Sequence, residues 1–124
     1  MFDHVKFGVR DFAASKAFYL EALAPLGVTL LGEGEPSYGV ELGVRGGASS
    51  LCLFQATGTP APLHIAFAAA SRAQVDAFYR AALQAGAIDN GPPGLRPQYH
   101  ALYYAAFVID PDGHNIEAVC HTPT

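Results

Sequence analysis

The chain has 124 residues, 51% of them hydrophobic and 15% charged, which gives ample apolar surface for a packed core and no case for intrinsic disorder. Seven Lys and Arg against eleven Asp and Glu give a net charge of −4 with no clustered basic stripe, so nucleic acid is excluded as an expected partner. The run from Gly46 to Ser71 carries no Asp, Glu, Lys or Arg, but Pro60 and Pro62 interrupt it, and no membrane-spanning helix is expected.

From the N-terminus, Met1-Phe2-Asp3-His4 runs straight into a strand pattern without a basic segment followed by an apolar one, so a cytoplasmic protein is expected. Val5, Phe7 and Val9 alternate with His4, Lys6 and Gly8, the period of a strand with one buried face. Asp11 is a suitable N-cap for a helix carrying Phe12, Phe18, Tyr19 and Leu23, and Gly27 can end it. Strand patterns follow at Ser37 to Val44 and Ser49 to Ala56, then a linker over 57–62.

Sixty positions on, the pattern repeats. His4, Phe7, Phe18, Tyr19 and Leu23 fall on His64, Phe67, Phe78, Tyr79 and Leu83 in one register, which marks an internal duplication. Ser71 can cap the second helix and Gly86 can end it; strands are expected at Tyr99 to Ile109 and Asn115 to His121. Between those two, Pro111-Asp112-Gly113 has the order of a tight turn, so they form a hairpin. The expected fold is α+β: one domain over 1–124 built from two βαβββ modules, about 1–56 and about 63–121. Cys52 and Cys120 lie in apolar strand patterns with no CxxC spacing, as befits buried reduced thiols.

Alternation also decides which side chains share a face. If Val5, Phe7 and Val9 cover the helix, His4 and Lys6 point the other way, and His64 does so in the second module. On the last strand Ile116, Ala118 and Cys120 suit burial against a helix, which puts Glu117 and Val119 on the opposite face. A carboxylate within so apolar a strand is costly unless it is paired, hydrogen-bonded or bound to a metal. Two imidazoles and one carboxylate suit Fe(II), Mn(II), Ni(II) or Zn(II) with positions left open for substrate. His4, His64 and Glu117 are the candidate ligands of one divalent ion.

Three stretches carry a family resemblance: Asp3-His4-Val5 with Arg10-Asp11-Phe12 and Ala17-Phe18-Tyr19; Leu63-His64-Ile65-Ala66-Phe67; and Phe107 through Glu117 with its Asp110-Pro111-Asp112-Gly113-His114 core. In these the chain resembles the vicinal oxygen chelate superfamily, which includes glyoxalase I, fosfomycin-resistance proteins, bleomycin-binding proteins and extradiol dioxygenases. The stretch Pro93 to His100, continuing through Tyr103-Tyr104 to Phe107, is similar to its glyoxalase-like subgroup. The resemblance implies a cup-shaped, mostly antiparallel eight-stranded sheet with helices outside and metal ligands at His4, His64 and Glu117. Ser50-Leu51-Cys52-Leu53-Phe54 lacks the carboxylate that glyoxalase I has there, and Lys6 replaces the threonine of fosfomycin-resistance proteins; both activities are disfavoured.

The remaining candidates follow from position. Lys6, two residues from His4 on the same face, favours an anionic small-molecule substrate. His100 and Tyr104, four apart on one expected strand, are candidates for proton transfer and for hydrogen bonding to a substrate oxygen; Tyr103 takes the other face, and His114 and His121 are expected in solvent. An exposed apolar sheet surface implies a homodimer. The expected activity is isomerase, lyase or dioxygenase chemistry on a small oxygenated or electrophilic substrate. The alternative is a metal-free dimeric protein that sequesters a drug or metabolite, as bleomycin-binding members do.

Overall fold

The computed structural model describes residues 2–124. Each module opens with the strand and helix expected of it. β1 spans Val5–Val9 and α1 Phe12–Leu23; β5 spans His64–Ala68 and α2 Arg72–Gln84. Both helices start at an extended residue whose side chain accepts a backbone N–H of the first turn. Asp11 takes Ala14 N at 3.1 Å and Ser71 takes Gln74 N at 3.2 Å, satisfying donors that the helix itself leaves open. A 3₁₀ turn at Ala24–Leu26 extends α1 and stops at Gly27, whose φ of +83° only glycine adopts freely.

The first module continues with β2 (Val28–Glu33), β3 (Val40–Val44) and β4 (Leu51–Gln55). The second continues with two very short strands, β6 (Ile88–Asp89) and β7 (Gly94–Leu95), then β8 (Tyr104–Ile109) and β9 (Asn115–Cys120). Two mixed sheets result, in the orders β1-β4-β3-β2 and β5-β9-β8-β6, with β7 also pairing β8. In each, the first strand runs parallel to the last and the other pairings are antiparallel. The sheets are open. This refines the expected eight-stranded cup, because a single chain supplies two separate sheet faces and does not close them.

The core lies between the sheets and the helices. Phe7 and Val9 of β1, Leu42 of β3, Leu53 of β4, Phe18, Tyr19 and Leu23 of α1, Val75 and Phe78 of α2, and Val108, Ile116 and Ala118 of the second sheet are buried together. The even-numbered residues of β9 therefore face α2, as the alternation requires. Odd-numbered Asn115, Glu117 and Val119 face away from the helices. Cys52 and Cys120 are both buried free thiols.

Candidate metal and substrate site

On the second sheet, Glu117 sits in the middle of β9 with its side chain only 2% exposed. Leaving a carboxylate there unpaired would cost several kcal/mol, and two partners meet it. His64 Nε2 stands 2.9 Å from Oε1, and the Tyr103 hydroxyl donates to Oε2. The His64 side chain is half exposed, so one side of this pair is open to a ligand. Burial, with the hydrogen bond and charge of Glu117 adding to it, pushes the Tyr103 phenol up to about 12. It remains a donor at neutral pH.

On the first sheet, Lys6 lies on the face of β1 that turns from α1, and His4 immediately precedes the strand. They line a cavity of about 330 Å³ with Tyr38, Glu41, Ser49 and Cys52. Lys6 Nζ lies 4.7 Å from the Tyr38 ring centroid and 5.7 Å from that of Phe54, and among the described residues no carboxylate forms an ion pair with it. The duplication makes Cys52 the counterpart of Glu117: Lys6 pairs with Cys52 as Ala66 pairs with Glu117. Burial, then the nearby Glu41, raises the Cys52 thiol, against the opposing pull of Lys6. The missing carboxylate reappears one strand over. Glu41, register partner of Cys52 on β3, accepts from the Tyr38 hydroxyl and from Ser49 Oγ at 3.3 Å.

The predicted ligands thus divide between the sheets. His64 and Glu117 meet, while His4 lies on the other sheet with its Nδ1 2.6 Å from Asp3 Oδ1. Among the described residues, the ligand atoms of His4, His64 and Glu117 do not gather within 4.8 Å of one another in a single chain.

Two expected side chains point elsewhere. The strand begins at Tyr104 and not at Tyr99, because residues 97–102 form turns in which Tyr99 N bonds Arg96 O, Leu102 N bonds His100 Nδ1 and Tyr103 N bonds His100 O. Counting by two from Phe107, the register partner of Glu117, puts Tyr103 and not Tyr104 on the Glu117 face. Tyr104 donates to Asp76 of α2 at 2.7 Å, on the helix side, and that bond raises its pKa. His100 lies at the rim, stacked on His121 with the rings 4.7 Å apart and 5.5 Å from the Tyr103 ring. The register from Phe107 was the sequence signal for Tyr103.

His114, expected in solvent, is fully buried. Its Nδ1 accepts the Leu63 N–H at 2.9 Å, and its ring meets Phe7 edge to face at 5.5 Å; a long-range backbone donor draws it in. With Asp110 and Asp112 it forms a group whose ligand atoms lie within 4.8 Å of one another. Those carboxylates are already engaged. Asp110 accepts the N–H groups of Asp112 and His114 and the Tyr19 hydroxyl, while Asp112 accepts Arg10 N, Arg10 Nε and Ser15 Oγ. With the Arg10 cation among the donors, the group works as a latch between the hairpin of the second module and α1 of the first.

Comparison with known proteins matches this arrangement to a family. A crystal structure of a glyoxalase/bleomycin resistance protein from Albidiferax ferrireducens T118 superposes with a TM-score of 0.80 at 31% identity, covering 98% of this chain and 99% of that one. A glyoxylase/bleomycin resistance protein/dioxygenase domain from Frankia sp. EAN1pec has the same fold at TM-score 0.72 and 24% identity, with 98% of each chain covered. A family enzyme of the same description from Burkholderia phytofirmans PsJN, at 19% identity and TM-score 0.70, covers 96% of this chain and 97% of that one. No protein of curated function matches significantly. The family model for the Glyoxalase/Bleomycin resistance protein/Dioxygenase superfamily matches residues 1–118; with the duplicated modules and the His64–Glu117 pair in place, the chain belongs to that superfamily.

Proposed function

We propose that the protein is a glyoxalase-like divalent-metal enzyme acting on a small oxygenated or electrophilic substrate, by isomerase, lyase or dioxygenase chemistry. The observation that carries this reading is Glu117, a buried carboxylate aimed at the open face of its sheet with a half-exposed imidazole beside it. Imidazole nitrogen and carboxylate oxygen together suit Fe(II), Mn(II), Ni(II) or Zn(II). His64 and Glu117 would hold the ion from the second sheet and His4 from the first. When bound, such an ion supplies Lewis acidity toward adjacent substrate oxygens.

The chain's own side chains have separate parts. Tyr103 fixes the rotamer of Glu117 through its second oxygen. Lys6, without an acidic partner, favours an anionic ligand in the cavity beside His4. His100 stands at the rim with its Nε2 2.5 Å from His121 Nδ1 and its Nδ1 accepting the Leu102 N–H, so any proton exchange there would belong to the His100–His121 pair.

A homodimer brings the halves together in this reading. β1 and β5 each end their sheet, and an apolar cavity of about 380 Å³ lies between them, lined by Phe2, Val5, Leu63, His64, Ile65 and Ala66. A second copy seated there would lay its first sheet, with His4, against His64 and Glu117. The sequestering alternative rests on one observation: His64 and Tyr103 each engage one oxygen of Glu117, so side chains alone can satisfy the buried carboxylate.

Elemental analysis separates the two. After reconstitution the enzyme reading expects about one ion per chain, falling about tenfold or more in His4→Ala, His64→Ala and Glu117→Ala. Full occupancy in all three variants overturns the ligand set. No uptake by the wild type supports the binding protein.

A further inference from the structure

Arg96 lies beside the His64–Glu117 pair and has no part in the metal reading. Among the described residues it forms no salt bridge. Its guanidinium is fixed by backbone carbonyls instead: Nη2 donates to Pro92 O at 2.7 Å and Nη1 to Gly94 O at 2.8 Å. One face lies over the Phe107 ring, 5.3 Å from its centroid. The backbone leaves room for it. A Cβ on Gly91 would stand 3.2 Å from Nη2, and one on Gly94 would stand 3.2 Å from Nη1. Gly91 also adopts φ +145°, where other residues are strained.

The guanidinium opens on a cavity of about 290 Å³ whose other walls are Asn90, Gly91, Tyr99, Phe107 and Asn115. Asn90 Nδ2 donates to Asn115 Oδ1 at 3.2 Å, which leaves further amide hydrogens of both side chains unspent. The acid closest in sequence, Asp89, accepts the Gly91 N–H and the Tyr79 hydroxyl. A rigid cation with spare donors, half shielded from water and lacking an anion, is what binds an oxyanion. The cavity also adjoins the reactive pair. Phe107 is the register partner of Glu117, Asn115 is that of His64, and the His64 ring lies 6.3 Å from that of Phe107.

We propose that this cavity is the anion subsite of the substrate site: Arg96, aided by the amides of Asn90 and Asn115, takes a carboxylate or phosphate of a substrate whose other end lies at His64 and Glu117. The subsite stands on this chain's residues alone, and rests on the metal-enzyme reading only in calling its ligand a substrate. Phe107 then spaces the anion from the reacting end, so an oxyanion a few bonds from the reactive oxygens fits best.

The test uses metal-stripped protein and NMR. Malonate, inorganic phosphate and neutral malonamide are titrated while the Gly91 backbone amide and the Asn90 and Asn115 side-chain amides are followed. In the wild type malonate or phosphate shifts these signals to saturation and malonamide does not; whichever anion binds more tightly names the source. Arg96→Met should weaken that anion tenfold or more, and Arg96→Lys, which keeps the charge but not the fork, should fall between. Because Arg96 also holds its loop, Asn90→Leu serves as a second variant: it fills the cavity beside an intact guanidinium and should weaken the anion at least as much. Equal affinity in wild type and either blocking variant, or shifts confined to other residues, overturns the subsite. Anion binding here without metal uptake would sink the metal enzyme and leave the subsite standing; metal uptake with anion affinity indifferent to Arg96 would do the reverse.

Discussion

Lys6 carries an unpaired charge in a cavity that His4, Glu41 and Cys52 also line. The rings of Tyr38 and Phe54 flank its ammonium, an arrangement that desolvates the cation slightly without neutralising it. A small dicarboxylate bridging Lys6 and an ion at the neighbouring ligands gains a charge-assisted contact. Lys6→Met should therefore cost oxalate roughly 1–3 kcal/mol in metal-loaded protein, read by calorimetry, and leave a neutral diol unchanged. Equal oxalate affinity in the two proteins would place Lys6 outside the site. The facing of Lys6 and Glu117 was legible because strand alternation is strict within an element. Alternation within β8, counted from Phe107 opposite Glu117, also sets Tyr104 on the helix side; what has no strand pattern to fix it is His100, since turn hydrogen bonds replace the strand before Tyr104.

Among the elements, the hairpin from β8 to β9 does more than reverse the chain. Gly113 N bonds Asp110 O at 3.1 Å with φ of +88° at Gly113, the turn that Pro111-Asp112-Gly113 predicted. Its two aspartates then reach across to α1, which no local pattern announced. Tyr19 is fully buried and donates to Asp110; burial first, then the Asp110 charge, raises its pKa well above the ordinary value of 10.0. The native state keeps a proton that the unfolded chain loses above that value, so this stabilisation is complete at lower pH and declines as the pH rises beyond about 10. One proton corresponds to a slope of about 1.4 kcal/mol per pH unit. Denaturant melts across that alkaline range should show Tyr19→Phe losing stability less steeply than the wild type by up to that amount. Parallel pH profiles would mean that Tyr19 ionises as readily folded as unfolded. The helices were legible from their caps and apolar spacing; the latch was not, because its partners lie about ninety to one hundred residues apart in sequence and pair by polar contacts without a period.

For the whole molecule, the duplication was plain in the sequence because both copies keep a histidine, a Phe-Tyr pair and a leucine in one register. The open edges were not, since no local pattern shows whether the two sheets of one chain meet. β1 and β5 have no second strand neighbour among the described residues, and Phe2 beside them is 81% exposed. In the proposed dimer a second copy would cover this seam of open edges and exposed Phe2. No helix among the described residues is long and apolar enough to cross a membrane. The central claim, that the metal centre takes His64 and Glu117 from one copy and His4 from the other, is tested most directly by mixing subunits. Preparations of His4→Ala and Glu117→Ala, each deficient in metal alone, are unfolded, combined in equal amounts, refolded and reconstituted. Random pairing makes half of the dimers mixed, and each mixed dimer regains one intact site of two, so metal content should return to about a quarter of the wild-type value. A mixture that stays at the level of its separate components would contradict the shared site.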